Sequence, residues 1–168
     1  MATIAAPFGF RPVGLLGGGT WSDAIRHIKI ANNYGTAIFY GDVVKLVNTG
    51  TVEKDTGTTA MTPCGIFVGC RYTDPGSGQL TFNQFYPAST AADDVMAYVC
   101  DDPDVVFQAQ ADEAVAQTAL GNNVAVVQTG GSTAIGTSRN AIDGGSNAVT
   151  KTLPIRIIDF VDGPNSTV

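Results

Sequence analysis

The sequence predicts an all-β protein, mainly antiparallel, folded as a β-barrel or β-sandwich body with an extended N-terminal arm and at most one short helix. Three observations lead there. Only 14% of the 168 residues are charged, against roughly a quarter in an average soluble protein, so Thr, Ser, Asn, Gln and Gly must cover much of the surface. The 20 glycines and 8 prolines supply many turns. Between those turns lie short apolar segments of strand-like alternation, with a single helical candidate among them. A chain of this length holds one core. It divides into an arm, residues 1–20, and a single β-rich domain, residues 21–168.

The arm opens with Pro7-Phe8-Gly9-Phe10-Arg11-Pro12 and continues with Gly14-Leu15-Leu16-Gly17-Gly18-Gly19. Proline fixes its own φ and pushes the residue before it toward extended backbone. Phe8, Phe10, Leu15 and Leu16 are side chains that a solvated tail would not keep. Two uses fit them: the arm reaches a partner, or it folds back over its own domain. In the body, residues 25–30 alternate Ile28 and Ile30 with His27 and Lys29; strands at 36–40 and 42–47 follow, with a bend at Tyr40-Gly41-Asp42. Further strands are expected at 65–72, 79–86, 95–100, 105–109, 124–128 and 153–160. Thr73-Asp74-Pro75-Gly76-Ser77-Gly78 has the turn chemistry to join two of them as a hairpin. The helical candidate is 112–120, where Asp112 caps, Glu113 favours the positive helix end and Gly121 stops the run. Residues 129–150, mostly Thr, Gly, Ser, Ala and Asn, read as a long loop with one short strand around 139–142.

The net charge of −6 and the scatter of nine Lys and Arg along the chain count against a nucleic-acid partner, which needs clustered cations. No apolar stretch approaches the length of a membrane span, and Met1 to Pro7 lacks the basic and apolar regions of a secretory leader. A soluble protein made in the cytoplasm, with no membrane partner, is the expectation. Cys64, Cys70 and Cys100 are an odd count, so reduced thiols are expected rather than a disulfide framework.

Catalytic chemistry finds little to build on. His27 is the one histidine, and no local Ser-His or Cys-His signature surrounds it. Cys64 and Cys70 would share a strand face roughly 20 Å apart, too far to hold one ion. Gly14 to Thr20 lacks the Gly-Lys-Ser/Thr ending of a phosphate-binding loop. Asp93-Asp94 and Asp101-Asp102-Pro103-Asp104 read as solvated turns rather than a calcium loop. The expectation is a protein that is not an enzyme, with no cofactor and no metal. In 79–86, Phe82 and Tyr86 lie on one face and Phe85 on the other, as in a central strand or one buried against a partner.

Five segments carry a resemblance: Ala6-Pro7-Phe8-Gly9-Phe10-Arg11-Pro12-Val13, Tyr40-Gly41-Asp42-Val43-Val44-Lys45-Leu46, Gly65-Ile66-Phe67-Val68-Gly69-Cys70-Arg71-Tyr72, Phe85-Tyr86-Pro87-Ala88-Ser89-Thr90 and Val99-Cys100-Asp101-Asp102-Pro103-Asp104. Together, over most of residues 6–160, they resemble the capsid cement or decoration proteins of tailed bacteriophages, a family usually encoded close to the major capsid protein. The resemblance implies a structural role: oligomeric knobs, trimers foremost, on the outside of the phage head, stapling neighbouring major capsid subunits. It implies the major capsid protein and the chain itself as partners, and the outer surface of the virion as location. On that reading Pro7, Phe8, Phe10, Arg11 and Pro12 contact the capsid, and Phe82, Phe85 and Tyr86 form the oligomer interface. Removal of residues 1–12 would then leave a folded body that no longer decorates shells. The alternative is a β-sandwich module of a virion that binds carbohydrate or a host receptor through Trp21, Tyr34 and the 129–150 loop.

Overall fold

Short alternating segments with β-branched and aromatic side chains pair into antiparallel ladders, three of them between consecutive strands and the rest between strands further apart in the chain. The structure, a computed structural model, describes residues 5–22 and 24–161. Its strands, in chain order, are β1 (Arg11–Leu15), β2 (Arg26–Lys29), β3 (Val43–Leu46), β4 (Val52–Lys54), β5 (Gly65–Thr73), β6 (Leu80–Asn83), β7 (Met96–Cys100), β8 (Val105–Gln108), β9 (Asn123–Val127), β10 (Ala141–Ala148) and β11 (Ile155–Arg156). All ladders between them are antiparallel. The all-β expectation holds.

The main sheet runs β2-β7-β5-β3-β4, with β6 also on β5. β5, the longest strand at nine residues, organises it. β7 takes one edge of β5, while β3 (Val43↔Ile66) and β6 (Arg71↔Phe82) share the other. One face of this sheet bears the larger core, where Ile28, Val44, Phe67, Cys70, Tyr72, Ala97 and Val99 pack with Ile30, Ile38, Tyr86 and Val95 from the flanking segments. Among the described residues the opposite face is covered at one end only. There Val43 and Ile66 pack against Phe10 and Val126, with Phe107, Ile142 and Ile155 at the margin, so the β1-β8 ribbon and the β10-β9-β11 sheet form a partial second layer. The ladder shift between Phe67 and Gly69 turns the rest of β5 so that Cys70 and Tyr72 stay in the core and Arg71 faces out.

Several elements differ from the sequence expectation. Residues 36–40 form two isolated bridges, Ile38↔Tyr86 and Tyr40↔Thr137, rather than a strand. The helix expected at 112–120 is one 3-10 turn, Gln117–Ala119, because the intended cap is used elsewhere: Asp112 Oδ1 accepts the Gly144 N–H at 3.1 Å. The short strand expected around 139–142 is the start of β10, which runs on to Ala148 within the expected 129–150 loop. The strand expected at 153–160 keeps two ladder residues, since β9 ends there; Ile157 continues by bonding the backbone of Gly121 and Asn122 instead.

Of the two uses open to the N-terminal segment, its described residues take the second and fold back over the body. Residues 11–15 are β1, paired to β8 from Arg11↔Gln108 to Leu15↔Val105. Before it, the Gly9 N–H donates to the Asn140 carbonyl and the Phe10 N–H to the Gly41 carbonyl at 2.9 Å. Gly9 adopts φ +74°, and a Cβ there would sit 2.6 Å from the Gly41 oxygen and from Ser138 Cβ, so only glycine fits. Two of the segments that carry the resemblance therefore touch each other. Extended backbone seeks ladder partners and Phe10 finds an apolar slot, so this segment belongs to the body; residues 1–4 lie outside the described residues.

Candidate functional site

The aromatic residues expected at an oligomer interface are dispersed by the fold. Tyr86 is fully buried, its hydroxyl donating to the Tyr34 carbonyl at 3.1 Å. Phe85 is half-buried and stacks on Phe39, with ring centroids 5.4 Å apart. Phe82 alone of the three is presented, 67% exposed, and Leu80 beside it is 52% exposed. Tyr86 is thereby a core residue, because the chain bends after Asn83 and the alternation that placed it with Phe82 is interrupted.

Phe82 stands at the margin of an open sheet face. Its register neighbours across the strands are Arg71 on β5, Met96 on β7 and Lys29 on β2; His27 and Tyr98 make the next row, with ring centroids 4.6 Å apart. The hairpin that presents β6 is held by two carboxylates. Asp74 accepts the Gly76 and Ser77 N–H groups and the Ser77 hydroxyl. Asp94 accepts the N–H of Thr73 and, at 2.6 Å, its hydroxyl. These bonds favour the charged form and hold both carboxyls below the ordinary range, the Ser77 N–H contributing most at Asp74 and the Thr73 hydroxyl most at Asp94.

Of the five residues expected to reach a capsid, Phe10 is 3% exposed and belongs to the core. Pro7, Phe8 and Pro12 are half-buried, while Arg11 is exposed with its guanidinium 4.5 Å from the centre of the Phe8 ring. Sequence reasoning missed the more exposed apolar groups of the same ribbon, Val13 at 55% and Leu16 at 64%. The bulge between Pro12 and Gly14 leaves Val13 unpaired against β8, and no local sequence signal marks that bulge.

The groups weighed for chemistry serve structure. The acidic turns bond to their neighbours: Asp93 accepts from the Asn32 side chain, Asp101 pairs with Arg26, and Asp102 accepts the Asp104 N–H. Asp112, Glu113 and Asp143 place carboxylate oxygens within 4.8 Å of one another, and Asp112 and Asp143 spend theirs on the Gly144 and Ser146 N–H groups of β10. Burial is the main cause that raises all three thiols, Cys70 to about 12. Tyr34, assigned to a glycan surface in the alternative reading, is half-buried against the main core and accepts the Lys54 N–H through its hydroxyl. A recess of about 630 Å³ beside Lys45, Asp55, Met61 and Thr152 is broad and open. Apolar ligand sites, by contrast, enclose most of what they bind.

Comparison with protein-family models, curated proteins and solved structures finds no match. Among the described residues no helix is long and apolar enough to cross a membrane.

Proposed function

We propose that this chain is a virion structural protein, a cement or decoration protein that binds the outside of a phage head and staples neighbouring major capsid subunits, self-associating as it does so. The reading starts from the resemblance in segments 6–13, 40–46, 65–72, 85–90 and 99–104. The observation that carries it further is where the exposed apolar side chains lie. Of the exposed large apolar side chains among the described residues, most stand singly, chiefly on turns and loops, whereas Val13 and Leu16 lie together on the β1 ribbon and Leu80 and Phe82 together on β6, two separate strand edges. Edges and ribbons of this kind bind other chains by strand addition and flat packing. A shell with many symmetric copies multiplies a modest contact into a stable coat.

On this reading the shell contact shifts along the chain. Phe10 is spent inside, so the surface offered is Arg11 stacked on Phe8, followed by Val13 and Leu16. The test is co-sedimentation with shells of the major capsid protein, using a Val13→Asp/Leu16→Asp variant whose far-UV circular dichroism matches the parent. Loss of at least tenfold in apparent affinity is expected, about 1.4 kcal/mol or more. Full occupancy by that variant rejects the ribbon as the shell contact, and failure of the unmodified protein to bind shells rejects the cement reading itself.

A further inference from the structure

Among the described residues β6 has one partner, β5. Asp74 N–H donates to the Gln79 carbonyl at 2.8 Å, which fixes the phase of the hairpin ladder. The pairs Tyr72↔Thr81 and Cys70↔Asn83 fall in hydrogen-bonding positions, and Thr73↔Leu80 and Arg71↔Phe82 fall between them. Leu80 and Phe82 therefore turn their N–H and C=O groups away from β5, toward an edge where no described strand receives them. The same two residues carry the exposed side chains. An edge with free backbone groups and apolar side chains at alternate positions is a template for another strand.

We infer that a second copy of this chain docks on that edge, β6 against β6, antiparallel about a two-fold axis at Thr81. The register selects this occupant. With the axis at Thr81, Leu80 of one copy faces the partner's Phe82 and the reverse, so every outward N–H and C=O of the two residues is bonded and each exposed apolar side chain lies beside the other's. With the axis at Leu80, Phe82 would meet Gly78; with the axis at Phe82, Leu80 would meet Gln84. Charge agrees. No charged residue lies between Pro75 and Ala92, so two copies of a chain of net charge −6 meet there without like charges in contact, whereas a partner recognised by its charge gains nothing from this strip. β6 is short, at four residues, but it carries none of the Lys, Pro or bulge that proteins also place on edges kept single.

The inference deepens the self-association in the proposed function and replaces the expected trimer with a dimer, since a two-fold contact closes on itself. It is judged on solution mass and cross-linking alone, so its failure is separable from a failure to bind shells. The full chain should sediment as two copies at high concentration and dissociate on dilution. A Leu80→Lys/Phe82→Lys variant, changed only at exposed positions, should keep its circular dichroism and halve its mass. Thr81→Cys should form a disulfide-linked dimer under mild oxidation, because residues at a non-hydrogen-bonded pair have Cα atoms about 4.5 Å apart. Asn83→Cys should not, its two copies being about 13 Å apart along the strands, and neither should the parent, whose thiols are buried or half-buried. A monomer at every concentration overturns the proposal. So does an oligomer that survives the double-lysine variant, or one that Thr81→Cys fails to trap.

Discussion

Asp42 and Lys54 bring opposite charges into the interior, with Asp42 fully buried and the Lys54 side chain 10% exposed. The carboxylate is saturated. Its Oδ1 accepts from Ser138 Oγ at 2.6 Å and Asn140 Nδ2 at 3.2 Å, and its Oδ2 accepts the Phe39 N–H and pairs with Lys54 Nζ, both at 2.9 Å. A buried pair of this kind adds little beyond an apolar replacement, but breaking it from one side strands a charge. Asp42→Ala is therefore expected to cost about 3–5 kcal/mol in urea unfolding, and the added Lys54→Met change to recover part of it. A loss below about 1 kcal/mol would show the pair to be incidental. In the sequence Asp42 marks a bend after Gly41. Its partners lie 96 and 98 positions away, and no local pattern announces a bond over that separation.

At the scale of the element, the β5–β6 hairpin depends on ionised carboxylates at its turn. Asp74 and Asp94 have lowered pKa values in the folded chain and ordinary ones when unfolded. The sign follows from that order. Their stabilisation of the hairpin is complete above the ordinary carboxylate pKa of about 3.9 and is lost as pH falls through the lowered folded values. Amide exchange at Thr73, Gly76 and Ser77 is expected to lose protection in that acid range before the core strands do, and Asp74→Asn/Asp94→Asn should remove the pH dependence. Equal protection in both proteins down to the acid limit would sink the idea. This hairpin was legible in the sequence because Asp-Pro-Gly sets its turn from local chemistry alone. Of β10 only the start was, as the short strand expected around 139–142: Asp-Gly-Gly-Ser-Asn has little strand propensity, and side-chain bonds from outside or around the turn hold it, among them Ala125 N–H to Ser146 Oγ at 2.9 Å and Ser146 Oγ to the Asp143 carbonyl at 2.7 Å. β4, three residues long, has too few alternations to separate from the turns around it.

For the whole molecule, the sequence told which side chains were apolar but not which layer would close over them. Phe82, Phe85 and Tyr86 have the same chemistry and three different fates, because alternation assigns parity and only the covering segments decide burial. The N-terminal segment is the larger case. Prolines and phenylalanines there fit a reaching arm and a docked strand equally well, and the fit of Gly9 against Gly41 and Ser138 belongs to the assembled fold alone. Docking makes the segment from Gly9 to Pro12 part of the stability of the body. Phe10→Ala is expected to cost about 3–5 kcal/mol as a large-to-small change in a core, a sizeable share of the 5–15 kcal/mol that usually holds a domain. Deletion of 1–12 should cost more, since the Gly9 and Phe10 backbone bonds and the first β1–β8 pairs go as well. Urea unfolding followed by fluorescence of Trp21, the single tryptophan, and by circular dichroism should give one lowered midpoint by both probes. A truncated chain with the parent's midpoint would restore the free arm. A lowered midpoint would mean that lost shell binding in the deletion reports on folding, leaving Val13 and Leu16 as the positions where a shell contact can be read separately.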